Sequence, residues 1–148
     1  MNPLIIITVI QVLFERTERD GVFSQAKAKA LELGKPLLNA GCGALKPIGG
    51  FPKAIRESDV NLDVEPQEVP RFIQGSVEQI PYPDKYFGAV FCCHVLEHID
   101  NLDQGLAELY RVADYVYIIV PSSIWPSTWL HTGHKRVFLD DKVLPLSE

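Results

Sequence analysis

Two glycines, Gly41 and Gly43, follow an apolar run that ends in Asn39. Glycines at this spacing permit a tight turn in which a ligand lies directly against the backbone. The loop lacks the lysine-serine or lysine-threonine pair of a phosphate-binding loop, and it also lacks the third glycine of a dinucleotide fingerprint. The pattern therefore indicates a ligand-binding loop, but by itself it does not identify the ligand.

Asp63 lies twenty residues beyond Gly43, at the end of a second strand-like run. An acidic side chain at this position accepts hydrogen bonds from both hydroxyls of a ribose, which favours a ligand that contains a nucleoside. The stretch from Glu57 to Glu68 holds five acidic residues and no basic one, so it disfavours a phosphate group and tolerates a cationic ligand. The alternative is an aspartate that caps a helix or lies in a solvated loop.

The segment from His94 to His98 reads HVLEH and fits the inverted zinc-peptidase motif. In that motif two histidines on one helix bind zinc and the glutamate, here Glu97, acts as a base. A zinc peptidase also needs a third ligand and a larger body, so it is the less favoured alternative. Cys92 and Cys93 are interpreted as small buried residues, and no metal site is predicted.

Two further histidines, His131 and His134, lie in the segment WLHTGHKRVF near the end of the chain. A neutral imidazole can remove a proton from an acceptor hydroxyl or amine, and His134 is the candidate for this catalytic role. The alternative is a surface histidine in a loop. Trp125 and Trp129 either line an acceptor site or pack against a helix.

The composition limits the kind of protein that carries these residues. A chain of 148 residues and 16.6 kDa corresponds to one domain, and its 47% hydrophobic content excludes a disordered protein. The formal charge of −5, with the basic residues scattered, makes nucleic acid an unexpected partner. Three cysteines without a CxxC pair favour a cytoplasmic protein.

The chain begins with an apolar segment, and the sequence is divided into residues 1–21 and a main domain at 22–148. The run PLIIITVIQVLF is shorter than the ~20 apolar residues of a membrane span, and no cleavage signal follows it. Its β-branched residues favour a strand, although a helix also fits. We expect it to be buried against this or another protein, with contact to a membrane surface as the second interpretation.

The elements that position these residues alternate between strands and helices. Residues 22–33 are predicted to form a helix with Phe23, Ala26, Ala30 and Leu33 on one face, ended by Gly34. Residues 102–110 are predicted to form a second helix, with Leu102, Leu106, Leu109 and Tyr110 at helical spacing and Asp100 or Asn101 as the N-cap. The predicted strands are 36–40, 59–63, 71–75, 87–93 and 115–120. Alternation of this kind predicts an α/β fold with a parallel sheet that binds ligands at the carboxyl ends of its strands.

Three segments resemble the class I S-adenosylmethionine-dependent methyltransferases of the type 11 group. They are LLNAGCG, VNLDVEP and GSVEQIPYPDKYFGAVFCCHVLEHI. The resemblance covers residues 37–138 and implies a Rossmann-like sheet of order 3-2-1-4-5 with S-adenosyl-L-methionine as the cofactor. It includes a proline-containing turn and a Leu-Glu-His that opens the helix after the fourth strand. Carried over to this sequence, it implies cofactor contacts from Asn39, Gly41, Cys42, Gly43, Asp63, Val64, Ser76, Val77, Cys93 and His94.

Three positions depart from the family pattern. Asn39, Ser76 and Gly88 stand where the family usually has acidic residues, so Asn39 and Ser76 lose the charge that strengthens a hydrogen bond. We also expect the sheet to lack the family's last antiparallel strands, which would leave the fifth strand as an open edge. Residues 4–10 could cover that edge as a strand, in this chain or in a partner.

The sequence therefore predicts a methyltransferase that transfers a methyl group to a small-molecule acceptor held between residues 94–98 and 131–136. In-line transfer from a sulfonium depends mainly on alignment, so it needs no obvious base. The alternative is a non-catalytic, methyltransferase-like module that binds a partner through its N-terminal segment and the open sheet edge, with weak or absent cofactor binding.

Overall fold

A computed structural model describes residues 3–46, 50–139 and 142–146 of the chain. Its centre is a parallel sheet of five strands in the order β3-β2-β1-β4-β5. This order confirms the predicted Rossmann-like fold. The strands lie within two residues of their predicted bounds, as β1 (Leu37–Ala40), β2 (Val60–Asp63), β3 (Phe72–Gln74), β4 (Phe87–Cys93) and β5 (Ala113–Ile119).

The two central strands, β1 and β4, are buried along their whole length because helices cover both faces of the sheet. Side chains alternate between the faces with a period of two. Leu38 and Val90 pack on one face with Leu109, and Ala89 and Phe91 pack on the other face. A fully buried strand needs apolar residues at every position, which is why these runs were continuous in the sequence.

The first helix, α1 (Pro3–Glu32), is much longer than the predicted helix at 22–33. Phe23, Ala26 and Ala30 are buried as predicted, and the ring of Phe23 contacts the ring of Phe91 edge-on at 5.3 Å. Leu33 lies beyond the helix end and is 39% exposed, so its predicted place on the buried face is wrong. Gly34 ends the helix in the left-handed conformation, with φ of 62°, as predicted.

The apolar N-terminal run belongs to α1, since the helix continues unbroken from Pro3. The predicted edge strand at residues 4–10 is therefore wrong, and the helical interpretation of the segment holds. The predicted burial of its side chains lies outside the described side chains. Among the described residues, no helix combines the length and the apolar character needed to cross a membrane.

The helix α3 (Leu102–Val112) covers the other face of the sheet. Its N-cap is Asn101, whose side chain accepts a hydrogen bond from the amide of Gln104 at 3.1 Å. Leu109 is buried, whereas Tyr110 is 58% exposed, because neighbouring residues of a helix point about 100° apart. Two short helices were not predicted, and both begin with proline: α2 (Pro52–Glu57) and α4 (Pro126–Leu130).

A turn, and not the predicted helix, follows β4 at residues 94–100. His94 reverses the chain direction with φ of 56°. The guanidinium of Arg136 donates hydrogen bonds to three backbone carbonyls of this turn, those of Leu96 at 2.6 Å, Ile99 at 2.7 Å and Asp100 at 3.1 Å. These carbonyls are therefore engaged outside any helix, and α3 starts only at Leu102.

Arg136 belongs to an antiparallel hairpin formed by β6 (Arg136–Leu139) and β7 (Lys142–Pro145). The two strands pair with each other and do not join the five-stranded sheet. In the described part of the chain, β5 therefore has β4 as its neighbour on one side and no strand on the other. This agrees with the predicted open edge.

Candidate functional site

A cavity of about 750 Å³ opens at the carboxyl ends of the strands, where parallel sheets of this order bind ligands. Nine of the ten predicted contact residues line it. They come from the loops after β1, β2, β3 and β4, and they are Gly41, Cys42, Gly43, Asp63, Val64, Ser76, Val77, Cys93 and His94.

The glycine loop after β1 forms a floor of bare backbone. The amides of Gly41 and Cys42 donate to the carbonyl of Leu62 at 2.7 and 2.9 Å, which fixes the loop to β2. Gly41 has φ of 71°, and a Cβ there would lie 2.1 Å from Val95, so only glycine fits. Gly43 has φ of 63° and faces open space, which leaves its backbone accessible to a ligand.

Asp63 ends β2 and is held in place by two backbone amides. Its Oδ2 accepts from Gly43 at 2.8 Å and its Oδ1 accepts from Glu65 at 3.0 Å. Each carboxylate oxygen has a further lone pair, so the oriented group can still accept from ligand hydroxyls. The side chain thus joins the second strand to the glycine loop and does not cap a helix.

Asn39 is the predicted contact residue that does not line the cavity. It is 2% exposed and lies beneath the loop, where its Nδ2 donates to Oδ1 of Asn61 on β2 at 2.9 Å. The two residues are direct partners in the strand register. Asn39 therefore supports the loop from below.

Ser76 and Val77 lie after β3 on the wall next to Asp63. The hydroxyl of Ser76 accepts from the amide of Glu78 at 3.1 Å, which shapes the turn that carries Val77 into the wall. Val77 is buried, whereas Val64 is 62% exposed at the cavity mouth. This part of the wall is apolar and suits a flat ring.

The thiol of Cys42 and the imidazole of His94, both in the cavity wall, are uncharged. Burial, followed by the charge of Asp63, raises the pKa of Cys42 to about 12, so the thiol stays protonated. Burial, followed by the positive charge of Arg19, lowers the pKa of His94 to about 4, so its imidazole is neutral at pH 7. Neither group is a ready nucleophile or a cation.

Glu97 is the most unusual acidic group near the cavity. It is fully buried, and neither of its carboxylate oxygens accepts a hydrogen bond from another described residue. Desolvation raises its pKa to about 7. Its Oε1 lies 3.7 Å from Nε2 of His98.

His94 and His98 do not have the arrangement of the inverted zinc-peptidase motif, which was the less favoured interpretation of the sequence. That motif needs His94 and His98 on one helix, and the structure has turns there. Instead, His98 comes close to His131 and His134 across the gap between two segments, with ring centroids 5.5 and 4.8 Å away. The zinc-peptidase interpretation therefore lacks the geometry that it requires.

The end of the cavity next to the turn at 94–100 is lined by His98 and His131, as well as by His94. His134 is not part of the lining: its ring stacks behind His131 with centroids 4.4 Å apart, and its Nδ1 bonds to the carbonyl of Thr128 at 2.8 Å. Burial lowers the pKa of both His98 and His134, so both favour the neutral form. The predicted segments 94–98 and 131–136 thus meet here, but with His131 in the wall in place of His134.

Several lining residues were missed by the sequence. Glu78, Val95, Ile99 and Asp100 carried no motif of their own, and they reach the cavity because the loops after β3 and β4 fold toward it. Phe51 comes from the unpredicted start of α2, and its ring lies 4.1 Å from the guanidinium of Arg19. The Leu-Glu-His signal pointed to His98, but only as part of a helix.

With this geometry established, comparison with known proteins assigns the family. The family model described as a methyltransferase domain, type 11, matches residues 38–114, just over half of the chain. The chain therefore belongs to this methyltransferase domain family, as the resemblance indicated. The cofactor of the family is S-adenosyl-L-methionine.

Among curated relatives, the malonyl-[acyl-carrier protein] O-methyltransferase of Serratia marcescens is 34% identical over 91 residues, which cover 53% of this chain and 34% of the relative. The demethylmenaquinone methyltransferase of Deinococcus radiodurans is 43% identical over 42 residues, covering 28% and 17%. The chain thus spans about a third or less of the length of these relatives. A crystal structure of a possible histamine N-methyltransferase from Thermotoga maritima aligns with a TM-score of 0.40 and 17% identity, over 68% of this chain and 53% of that one.

The residues of the cavity fit S-adenosyl-L-methionine. Gly43 presents bare backbone where a Cβ would face open space, and Asp63 is an oriented acceptor for ribose hydroxyls. The carboxylate of Asp63 and the neutral Cys42 and His94 leave this wall with negative charge, which suits a sulfonium cation.

Proposed function

We propose that the protein is an S-adenosylmethionine-dependent methyltransferase that acts on a small-molecule acceptor. The observation that carries the proposal is the continuous cavity of about 750 Å³ that runs from the glycine loop to His98 and His131. A cavity of this size and shape has a cofactor end and an acceptor end, as a group-transfer reaction requires.

At the cofactor end each residue has a distinct role. The backbone at Gly41–Gly43 supports the methionine portion, and the carboxylate of Asp63 accepts from the ribose hydroxyls. Ser76 and Val77 form the wall for the adenine ring. Asn39 acts indirectly, because its amide holds the loop against β2.

The chemistry that the bound cofactor supplies is an activated methyl group on a positively charged sulfur. The protein aligns the acceptor with that group and keeps water away, which is where most of the acceleration originates. The uncharged thiol of Cys42 and the uncharged imidazole of His94 leave the reacting centre without a competing nucleophile. The low pKa of His94 keeps it neutral at pH 7.

The acceptor is held between the turn at 94–100 and the segment 131–136. The names of the two curated relatives describe methylation of a malonyl group on an acyl-carrier protein and of demethylmenaquinone. They support an acceptor of small size in this chain as well. We further propose that the N-terminal part of α1 contacts a membrane surface or a partner, and that the free side of β5 provides a contact for oligomers.

The test is a calorimetric titration with S-adenosylmethionine and with S-adenosylhomocysteine, using the wild type and two variants. We expect micromolar binding that the Asp63→Ala change abolishes, because it removes the ribose acceptor and releases Gly43. The matched control is Asp103→Ala, which removes an exposed aspartate at the start of α3, outside the cavity lining. This control is expected to bind like the wild type.

Two outcomes would contradict the proposal. Absence of heat and of thermal stabilisation with both ligands would favour the non-catalytic partner-binding module. Equal loss of binding in Asp63→Ala and Asp103→Ala would show that the titration reports unfolding and not a cofactor site. With binding established, a screen of small hydroxyl, amine and carboxyl acceptors identifies the substrate class.

A further inference from the structure

Three histidines converge at the acceptor end of the cavity from two separate segments. His98 lies on the turn after β4, while His131 and His134 follow α4. One ring nitrogen from each of the three lies within 4.8 Å of the others. Histidine is a common metal ligand, and three imidazoles this close are the nitrogen set of a typical open transition-metal site.

Hydrogen bonds of the rings of His98 and His134 leave one nitrogen of each ring available to bind a metal. The Nδ1 of His98 lies 2.8 Å from the carbonyl of Gly133, and the Nδ1 of His134 lies 2.8 Å from the carbonyl of Thr128. A carbonyl can only accept, so both Nδ1 atoms carry the proton and both Nε2 lone pairs are available. Backbone carbonyls orient metal-binding histidines in this manner.

The third ring, His131, is more adaptable. Its Nδ1 accepts a hydrogen bond of 3.1 Å from the amide of Gly133, so its lone pair already points toward the loop between the histidines. His131 is exposed, and its ring stacks on that of His134. Binding an ion requires that this one hydrogen bond be exchanged for a metal bond.

An independent observation also calls for a cation at this place. Glu97 is fully buried, and its carboxylate accepts no hydrogen bond from another described residue. Its Oε1 lies 3.7 Å from Nε2 of His98, on the side of the ring that carries the free lone pair. A buried carboxylate without a partner is costly, and a nearby ion would compensate it.

The positive side chains nearby are already engaged. Lys135 forms an ion pair with Asp100, and Arg136 donates to the carbonyls of Leu96 and Ile99. Arg136 adds a favourable charge near Glu97, but it donates no hydrogen bond to that carboxylate. Glu97 is therefore the buried carboxylate next to the three histidines that has no hydrogen-bond partner among the described residues.

We propose that His98, His131 and His134 bind a divalent first-row transition-metal ion, with Zn²⁺ as the reference ion and Glu97 as the compensating carboxylate. Nitrogen ligands of tetrahedral zinc stand roughly 3.3 Å apart, given Zn–N distances of about 2.0–2.1 Å. The three nitrogens lie within 4.8 Å of one another, so closure to that spacing requires shifts of about 1.5 Å or less in their separations. Because His98 and His131 line the cavity, the ion sits in the wall of its acceptor end.

Such an ion has a structural consequence for the acceptor end. It joins the turn at 94–100 to the segment 131–134, next to the point where Arg136 joins the same turn to β6. The two sides of the acceptor end are then fixed relative to each other. The site is independent of methyl transfer, and its test does not rely on activity.

The experiment uses the full chain purified without a histidine tag, treated with a chelator and then dialysed. Zn²⁺ binding is measured by calorimetry, and Co²⁺ is used as a probe because a nitrogen-ligated cobalt ion has visible absorption bands. We expect one equivalent of metal in the wild type. Removal of one ligand, in His131→Ala or His134→Ala, should weaken Zn²⁺ binding by about tenfold or more, since loss of a residue that only supports a ligand already costs about 10–100-fold.

The matched control is His94→Ala, which removes the remaining histidine of the chain, one that does not belong to the three-histidine group. It should retain full stoichiometry, and circular dichroism verifies that each variant is folded. Absence of Zn²⁺ binding in the wild type would overturn the proposal. Binding that survives in His131→Ala and His134→Ala, or that is lost in His94→Ala, would overturn it as well. Failure of the S-adenosylmethionine titration would leave these outcomes unchanged, so the two proposals fail separately.

Discussion

At the scale of single residues, a pair of buried amides decides which residue type fits at position 39. Nδ2 of Asn39 donates to Oδ1 of Asn61, whose own Nδ2 donates to the carbonyls of Ile55 and Pro70, both at 2.8 Å. An Asn39→Asp change places a carboxylate opposite Oδ1, with no donor left on Asn61. We expect the free energy of unfolding at pH 7 to fall by roughly 2–3 kcal/mol, measured by urea denaturation.

The pH dependence of this variant follows from the same geometry. Burial opposite an oxygen raises the pKa of the introduced carboxyl in the folded state, so the loss of stability is greatest above that pKa. It should shrink as the pH falls toward the unfolded value of about 3.9, where the protonated group again donates. The control is Asn101→Asp at the exposed N-cap of α3, where both residue types accept equally well. Equal effects at the two positions would contradict the explanation.

This pair also explains what the sequence predicted about the site and what it missed. Residues such as Gly43 and Asp63 were predictable, since consecutive loops of a parallel sheet gather at one edge and motif order identifies them. Asn39 was counted among the cofactor contacts because position 39 precedes the glycine loop in sequence. Its orientation depended on the strand register with Asn61, which is a tertiary property. His131 was paired with His134 in sequence, and only the fold decides which ring faces the cavity.

At the scale of secondary-structure elements, the close contact of α1 with β4 explains the glycine at position 88. A Cβ on Gly88 would lie 3.0 Å from Cα of Ala30 and 3.0 Å from Cβ of Lys35. The helix backbone cannot move without disturbing Phe23 and its neighbours in the core. We expect Gly88→Ala to lower the free energy of unfolding by about 1–3 kcal/mol in urea denaturation.

Gly21→Ala is the matched control for this prediction. Gly21 lies within α1, and a Cβ there meets no atom within 4 Å. Alanine is a better helix former than glycine, so this variant should be more stable than the wild type by roughly 0.5–1 kcal/mol. If Gly88→Ala were also neutral or stabilising, steric crowding would not explain why glycine stands at position 88, where the family usually has an acidic residue.

Secondary-structure elements were predicted correctly where a single physical cause, such as complete burial, produced the sequence pattern. The strand β4 has its predicted bounds, because a continuous apolar run between turn residues is typical of a buried strand. The helix predicted at HVLEH is wrong because a distant residue determines the local structure. Arg136, 40 residues beyond Leu96, donates to the carbonyl of Leu96 within the segment and to those of Ile99 and Asp100 just after it. The edge strand at residues 4–10 failed because β-branched residues are tolerated in a helix as long as α1.

At the scale of the whole molecule, five strands and two covering helices were predictable because alternation of elements leaves few topologies. The position of the hairpin β6–β7 was not predictable. It pairs only with itself among the described strands and contacts the sheet region through single side chains such as Arg136. Short strands of four residues carry too little pattern to specify where they dock.

The resistance of the whole domain to acid should depend on one clamp that joins the helix layer to the cavity wall. Both oxygens of Glu108 on α3 accept from Arg111, at 2.7 and 2.8 Å, and its Oε2 also accepts from the amide of Ile80 at 2.8 Å. The guanidinium of Arg111 further donates to the carbonyls of Ile80 and Tyr82 and to Asp84. The segment that follows Ser76 and Val77 is thereby tied to α3.

The contacts with Arg111 and the amide of Ile80 lower the pKa of Glu108 in the folded state. A lowered pKa contributes stability above the unfolded value of about 4.3, and that stability is lost as the pH falls through the folded pKa. We expect Glu108→Gln to lower the free energy of unfolding by about 1–3 kcal/mol at pH 7 and by less at pH 3, because below the unfolded value of about 4.3 the stabilisation shrinks as the pH falls toward the folded pKa. Urea midpoints at the two pH values measure the difference.

The control is Glu57→Gln, which breaks an exposed ion pair with Lys27 and should change the stability little at either pH. If Glu108→Gln lowered the stability equally at pH 7 and pH 3, packing and not the carboxylate charge would stabilise the contact between Glu108 and Arg111.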